Sequence, residues 1–300
     1  VTFLFYIKAG GTFSDNSNEQ QLSEIFGRVR GQTRAGRSGE DMVRGLYTSG
    51  WSMLALQKRM DVITNNMANV STNGYKKDTT VMQGFPELLT KIVRDQDSFP
   101  GRRRNIGTME LGSDVGEVYT YYSQGQLTKT DNELDMAIRD SDSAFFTVAA
   151  PDADGNIAVY FTRDGSFARG RDNSLVTSDG YTVLGENGPV LLESGPFTVD
   201  ENGYIIQDGE IIDRLLITEF TDTTLLSKYG HNLVQADPGA QTRAFTGTVQ
   251  QGFVETSNVN IVREMVDMIT VMRAYEANQK VLQAIDSTLD RAVNQVGSVR

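Results

Sequence analysis

At 300 residues the chain is long for one domain and comfortable for two. Lys and Arg number 28 against 39 Asp and Glu, and a net charge of −11 argues against a nucleic-acid face or docking on an anionic membrane. There is no cysteine and only one histidine, His231, which excludes disulfides, thiolate chemistry and a multi-histidine metal site; no apolar run approaches the roughly 18 residues that span a bilayer.

Val1–Ile7 is apolar but short, with no basic segment before it and no clear small-residue cleavage site after it, so it does not read as a secretory signal. Leu22, Ile25, Phe26 and Val29 fit one face of a short helix, and residues 30–40 carry no apolar period. Residues 1–41 therefore read as an extension, disordered or non-native, with the functional protein starting at Met42.

A strong pattern follows. Leu46, Met53, Leu56, Met60, Ile63, Met67 and Val70 form a stripe whose members from Met53 onward recur every three or four residues, the a/d pattern of a coiled coil. The helix is expected to stop near Ser71-Thr72-Asn73-Gly74, because Asn-Gly readily adopts the left-handed turn that ends helices. Asp95 to Asn105 is polar, holds Arg102, Arg103 and Arg104, and reads as an exposed loop.

The middle changes to period two. Asp154-Gly155, Asp164-Gly165, Asp179-Gly180, Asn187-Gly188, Asn202-Gly203 and Asp208-Gly209 are hairpin dipeptides between short alternating runs, which predicts an antiparallel sandwich or partly open barrel. At the C-terminus, Val262, Met265, Ile269 and Met272 form a second stripe. Tyr275, Leu282, Ile285, Leu289 and Val296 continue it after a one-residue jog. Ser257 or Asn258 is the expected N-cap.

The expected fold class is α+β: long N- and C-terminal heptad helices forming a coiled-coil domain, with an antiparallel β-rich domain inserted between them. The expected division is an extension at 1–41, an N-terminal coiled-coil helix at 42–75, a loop-rich connector at 76–115, a β-rich domain at 116–251 and a C-terminal coiled-coil helix at 252–300.

Catalytic chemistry is not legible. Asp152–Asn156 resembles a calcium loop, but Arg163 stands where that loop needs a glutamate. Asp131, Glu133 and Asp135 alternate as on the solvated face of a strand. No glycine-rich phosphate loop precedes a helix. No cofactor, metal or catalytic residue is assigned, and the chain does not read as an enzyme.

Two end motifs carry a resemblance. Met42–Thr48, followed by Asp61–Lys76 with its Asn65, Asn66, Asn69, Thr72, Gly74 and Tyr75, resembles the start of bacterial flagellar basal-body rod and hook proteins. Gly252–Asn260 with Glu255, Ser257 and Asn258, then Glu264–Val266 and Arg273–Lys280 with Arg273, Tyr275 and Glu276, resembles that family's C-terminal motif. Gly125–Leu127, Thr130–Ile138 and Tyr160–Phe167 agree as well, although Arg139–Ala144 lacks the glycine turn usual before the Phe145-Phe146 pair.

The resemblance is to a proximal or distal rod protein (FlgF/FlgG-like), with Val183–Val190 favouring the proximal position. It implies a helically self-assembling part of the axial drive shaft, which transmits torque and encloses the export channel. Implied partners are copies of itself, other flagellar rod and hook proteins, the flagellar export apparatus and ring proteins around the rod, with no nucleic acid and no membrane insertion. The implied location is the basal-body rod, reached by type III export across the inner membrane into the periplasmic or cell-wall zone. The two stripes are the expected assembly interface. The alternative reading is a secreted adhesin or binding module, a β-rich head on a coiled-coil stalk, which accounts for the stripes but not for the paired end motifs.

Overall fold

The computed structural model describes residues 37–84, 88–91, 105–109, 113–152, 155–193, 195–230, 232–291 and 293–294. His231, Asp154, Val296 and the Arg102–Arg104 run lie outside the described residues, as do residues 1–36. The chain forms two compact units. The larger is Ser52–Phe85 with Ser113–Asn278, and the smaller is Val1–Trp51 with Pro86–Gly112 and Gln279–Arg300.

The larger unit is built on one strand, Ala144–Pro151, buried along almost its whole length. It pairs antiparallel with Ile157–Thr162 on one side. On the other it meets Thr182–Gly185 towards its end and Ile217–Phe220 towards its start. Neighbouring side chains on a strand point to opposite faces, so Phe145 and Phe146 enter different cores. Phe146 joins Val148, Tyr160, Leu175 and Val183 in the larger cluster. Phe145 packs with Tyr122, Phe220, Leu226 and Val234 in the smaller. The sheet is ten-stranded and ends at Leu226–Tyr229 on one side and Phe167–Arg169 on the other. A separate three-stranded meander, Phe197–Val199, Tyr204–Gln207 and Glu210–Arg214, sends Phe197 and Ile205 into the larger cluster.

Gly155, Gly180, Gly203 and Gly209 have positive φ and sit in turns between paired strands, and Gly188, also at positive φ, opens the strand Gly188–Pro189 just after such a turn, as the hairpin dipeptides predict. Asp164-Gly165 differs. It joins Ile157–Thr162 to Phe167–Arg169, two strands that pair with other partners. The glycine is needed there for space, because a Cβ would overlap the Met136 carbonyl oxygen. Asp131–Leu134 also departs from expectation: it is a turn, with Asp131 at φ +57, and Asp135 is buried and bridged to Ser166.

Three short antiparallel pairs close the base of this unit. They are Lys77–Gly84 with Ser113–Tyr121, Leu127–Lys129 with Phe253–Glu255, and Met136–Arg139 with Thr248–Gln251. In the smaller unit a hairpin pairs Leu88–Lys91 with Asn105–Met109. There too Gly45 passes close to Ile285, where a Cβ would lie 3.3 Å from the Ile285 side chain.

Among the described residues the expected coiled-coil domain is not present. Two helices, Arg37–Ala68 and Ile261–Arg291, flank a large antiparallel β region. In the second helix the residues that turn inward are Glu264 and Val271, both buried, with Met268 and Tyr275 half-buried. The stripe Val262, Met265, Ile269 and Met272 faces solvent, 67%, 49%, 51% and 46% exposed. The jog after Met272 is therefore a change of helix face, not a stammer in one seam. A 3–4 repeat is equally the signature of an amphipathic helix, and only a partner with matching holes makes it a coiled coil.

Candidate functional site

The residues that matter most converge on one buried carboxylate. Glu255, 1% exposed, ends the strand Phe253–Glu255. Its Oε1 accepts from Lys76 Nζ at 2.6 Å and from the Gly125 backbone N–H at 2.7 Å, and its Oε2 accepts from Arg163 Nε at 2.5 Å. The Arg163 guanidinium directs its other nitrogens to the carbonyls of Ala144, Ile138 and Ser141. Burial alone would push the Glu255 carboxyl up, but Arg163, Lys76 and the Gly125 N–H outweigh it and hold it below the usual glutamate value. Burial pulls the Lys76 ammonium down to about 8 against the opposing pull of Glu255.

Around this ion pair the backbone closes. The Gly74 N–H donates to the Glu255 carbonyl at 2.7 Å. Gly74 holds φ +68, and a Cβ would lie 2.6 Å from the Arg163 carbonyl carbon and closer still to the Asp164 nitrogen, so glycine alone fits. Gly125 is equally constrained, against the Thr256 carbonyl.

A second layer ties the helices in. Asn66, buried in the last turns of the first helix, donates to the Asp78 carbonyl and accepts from the Asp78 N–H, acting as an extra strand rung. Its Nδ2 also reaches Glu264 Oε2 at 3.3 Å, and the Glu264 carboxylate lies 2.5 Å from Lys77 Nζ. Tyr75 donates its hydroxyl to Asn65 and Asn66. Asn69 donates to Asn65, and Thr72 donates to Asn69, which closes the helix end at Ala68, just before the Ser71–Gly74 stretch where the sequence reading places the stop.

At the other helix the sequence expectation needs correcting. The cap is Asn260, whose Oδ1 accepts from the Arg263 N–H. Asn258 instead accepts from the Lys77 N–H and donates to the Tyr121 and Ser123 carbonyls, and Ser257 accepts from the Val259 N–H.

Of the motif residues, Asn65, Asn66, Asn69, Thr72, Gly74, Tyr75, Glu255 and Asn258 are thus gathered into one base. The later motif members Arg273 and Glu276 are exposed further along the second helix, with Tyr275 half-buried between them. Of the stripe residues, Ile63 is buried, and Leu46, Met53, Leu56, Met60, Met67, Val70, Leu282, Ile285 and Leu289 are half-buried. Lys76 and Arg163 fall inside the motifs, yet nothing local in the sequence marks either as a partner of Glu255.

A β body whose first and last motifs share one buried carboxylate, with an apolar stripe left open on the helix beyond it, defines a structural subunit. The chain belongs to the flagellar basal-body rod protein family. Residues 46–76 match the family "Flagella basal body rod protein", 141–218 match "Flagellar hook protein FlgE/F/G D1 domain", and 250–295 match "Flagellar basal body rod FlgEFG protein C-terminal". The flagellar basal-body rod protein FlgG of Buchnera aphidicola subsp. Acyrthosiphon pisum is 35% identical, over 83% of this chain and 98% of the relative. The FlgG of Bacillus subtilis is 30% identical over 84% of this chain and 99% of its own. The Bacillus subtilis hook-basal body complex protein FlhO is 29% identical over 86% of this chain and all of its own. The protein is a structural component of the rod in the flagellar basal body, and not an enzyme.

Proposed function

We propose that the stripe Val262, Met265, Ile269 and Met272 is the surface through which copies of this chain join in the rod, with the half-buried apolar residues of both helices completing the contact. The exposure of four apolar side chains in a row on one helix face carries the reading, because a lone soluble subunit gains nothing from leaving them in water. It also accounts for two of the four being methionine, whose flexible side chain adapts to neighbours in slightly different settings.

The remaining partners are the flagellar export apparatus and ring proteins around the rod. The proximal position suggested by Val183–Val190 competes with the distal, FlgG-like one, which gains support from the relatives that carry that name. The five-part division, with its two terminal segments as single helices and not coiled coils and with residues 1–41 as an extension, completes the proposal. The decisive experiment is rod completion, seen by electron microscopy of basal bodies from cells carrying Met265→Lys with Ile269→Lys. Absence of rods with a folded subunit supports the stripe; normal rods refute it.

A further inference from the structure

A groove of about 300 Å3 runs between the strand Ser113–Tyr121 and the segment Thr223–Lys228. We propose that it binds an extended, basic peptide segment of another protein chain, which adds as a third strand to the free edge of Ser113–Tyr121.

Four observations carry this. First, one wall is a strand edge, and the other is a 3-10 turn, Thr223–Leu225, that leads into a strand edge. Among the described residues Ser113–Tyr121 pairs only with Lys77–Gly84, and Leu226–Tyr229 is the last strand of its sheet. The groove is lined by consecutive residues, 117–120 on one side and 223–228 on the other. Alternate residues would line it if strand faces were presented, since successive side chains point to opposite sides. Unpaired edges offer a row of backbone donors and acceptors to an incoming strand.

Second, the ribbon has only two strands, which is marginal alone in water, and a third strand would stabilise it. Third, the charge is one-sided. Asp78, Glu117 and Asp237 line the groove against one cation, Lys228. That ammonium is already engaged, 2.8 Å from Asp78, 2.6 Å from the Lys76 carbonyl and 4.1 Å from the centre of the Tyr75 ring. Glu117 and Asp237 remain to meet positive side chains. Fourth, Tyr122 lines the groove, is 5% exposed, and its hydroxyl makes no hydrogen bond among the described residues. Val118 and Tyr119, both exposed, supply apolar surface for the alternate side chains of the guest. The inference is independent of the helix stripe.

The test uses the full chain and a fluorescent octapeptide of alternating valine and lysine. Saturable binding is expected, with slowed amide exchange over 117–120. Glu117→Lys with Asp237→Lys, both at exposed positions, should weaken binding about tenfold, and an alternating valine–glutamate peptide should not bind. No saturable binding, protection confined to another region, or equal affinity for the charge-reversed protein would each overturn the proposal. The exchange map of the unsubstituted protein keeps the test decisive if the double variant folds poorly.

Discussion

Glu255 answers two cations and a backbone amide with one carboxylate, out of reach of water. Removing one partner from a buried ion pair leaves the other charge uncompensated, which typically costs about 3–5 kcal/mol. Glu255→Gln is therefore expected to lower stability by that order, as read by urea unfolding. The pH dependence follows from the depressed Glu255 value. Its contribution is fully present above the ordinary glutamate range and is lost as pH falls through that range towards the folded-state value. Lys76 acts in the same direction in a higher window: between about 8 and its ordinary value of 10.5 the unfolded chain binds more protons, so stability rises with pH there too. Acid should untie the base and mild alkali should spare it, measured by melting temperature against pH. Gly74→Ala should cost about 2 kcal/mol or more, from the left-handed backbone and the overlap with Asp164. The left-handed turn at Gly74 is legible because Asn-Gly is a local signal, although the helix itself ends earlier, at Ala68. The Lys76–Glu255–Arg163 cluster is not, because Lys76 and Arg163 stand 179 and 92 residues from Glu255 and nothing local marks them as partners.

At the scale of elements, the two helices and most hairpin turns can be read from period and turn chemistry, and the pairing of the ends cannot. The C-terminal stripe shows why. Periodicity locates an apolar face, but whether that face meets its own fold, a sister helix or solvent depends on neighbours the period does not describe. Here Glu264, a charged residue, takes the inward position because Lys77 and Asn66 receive it, and Met265 beside it stays outside. Met265→Lys with Ile269→Lys should then shift monomer stability by no more than about 0.5 kcal/mol, as at other exposed sites, while blocking rod completion. Thermal melting and electron microscopy separate the two effects.

At the scale of the whole molecule, the body cannot finish folding until its last segment is present, because residues 252–255 complete the base that residue 74 begins. A chain ending at residue 251 should lose protection of the base amides in hydrogen exchange and melt early, while the complete 42–300 segment should support motility in a rod-deficient strain. The same tie has a mechanical meaning. Tension entering along one terminal segment and leaving along the other meets the Asn66–Glu264 contact and then the Gly74–Glu255 and Lys76–Glu255 bonds, and everything between them is a loop shielded from load. When the tie parts, the 179-residue separation of Lys76 and Glu255 can release about 600 Å of chain. Single-molecule stretching from the two ends should show rupture of this clasp, weakened by Glu255→Gln, before the extension of the sheet behind it.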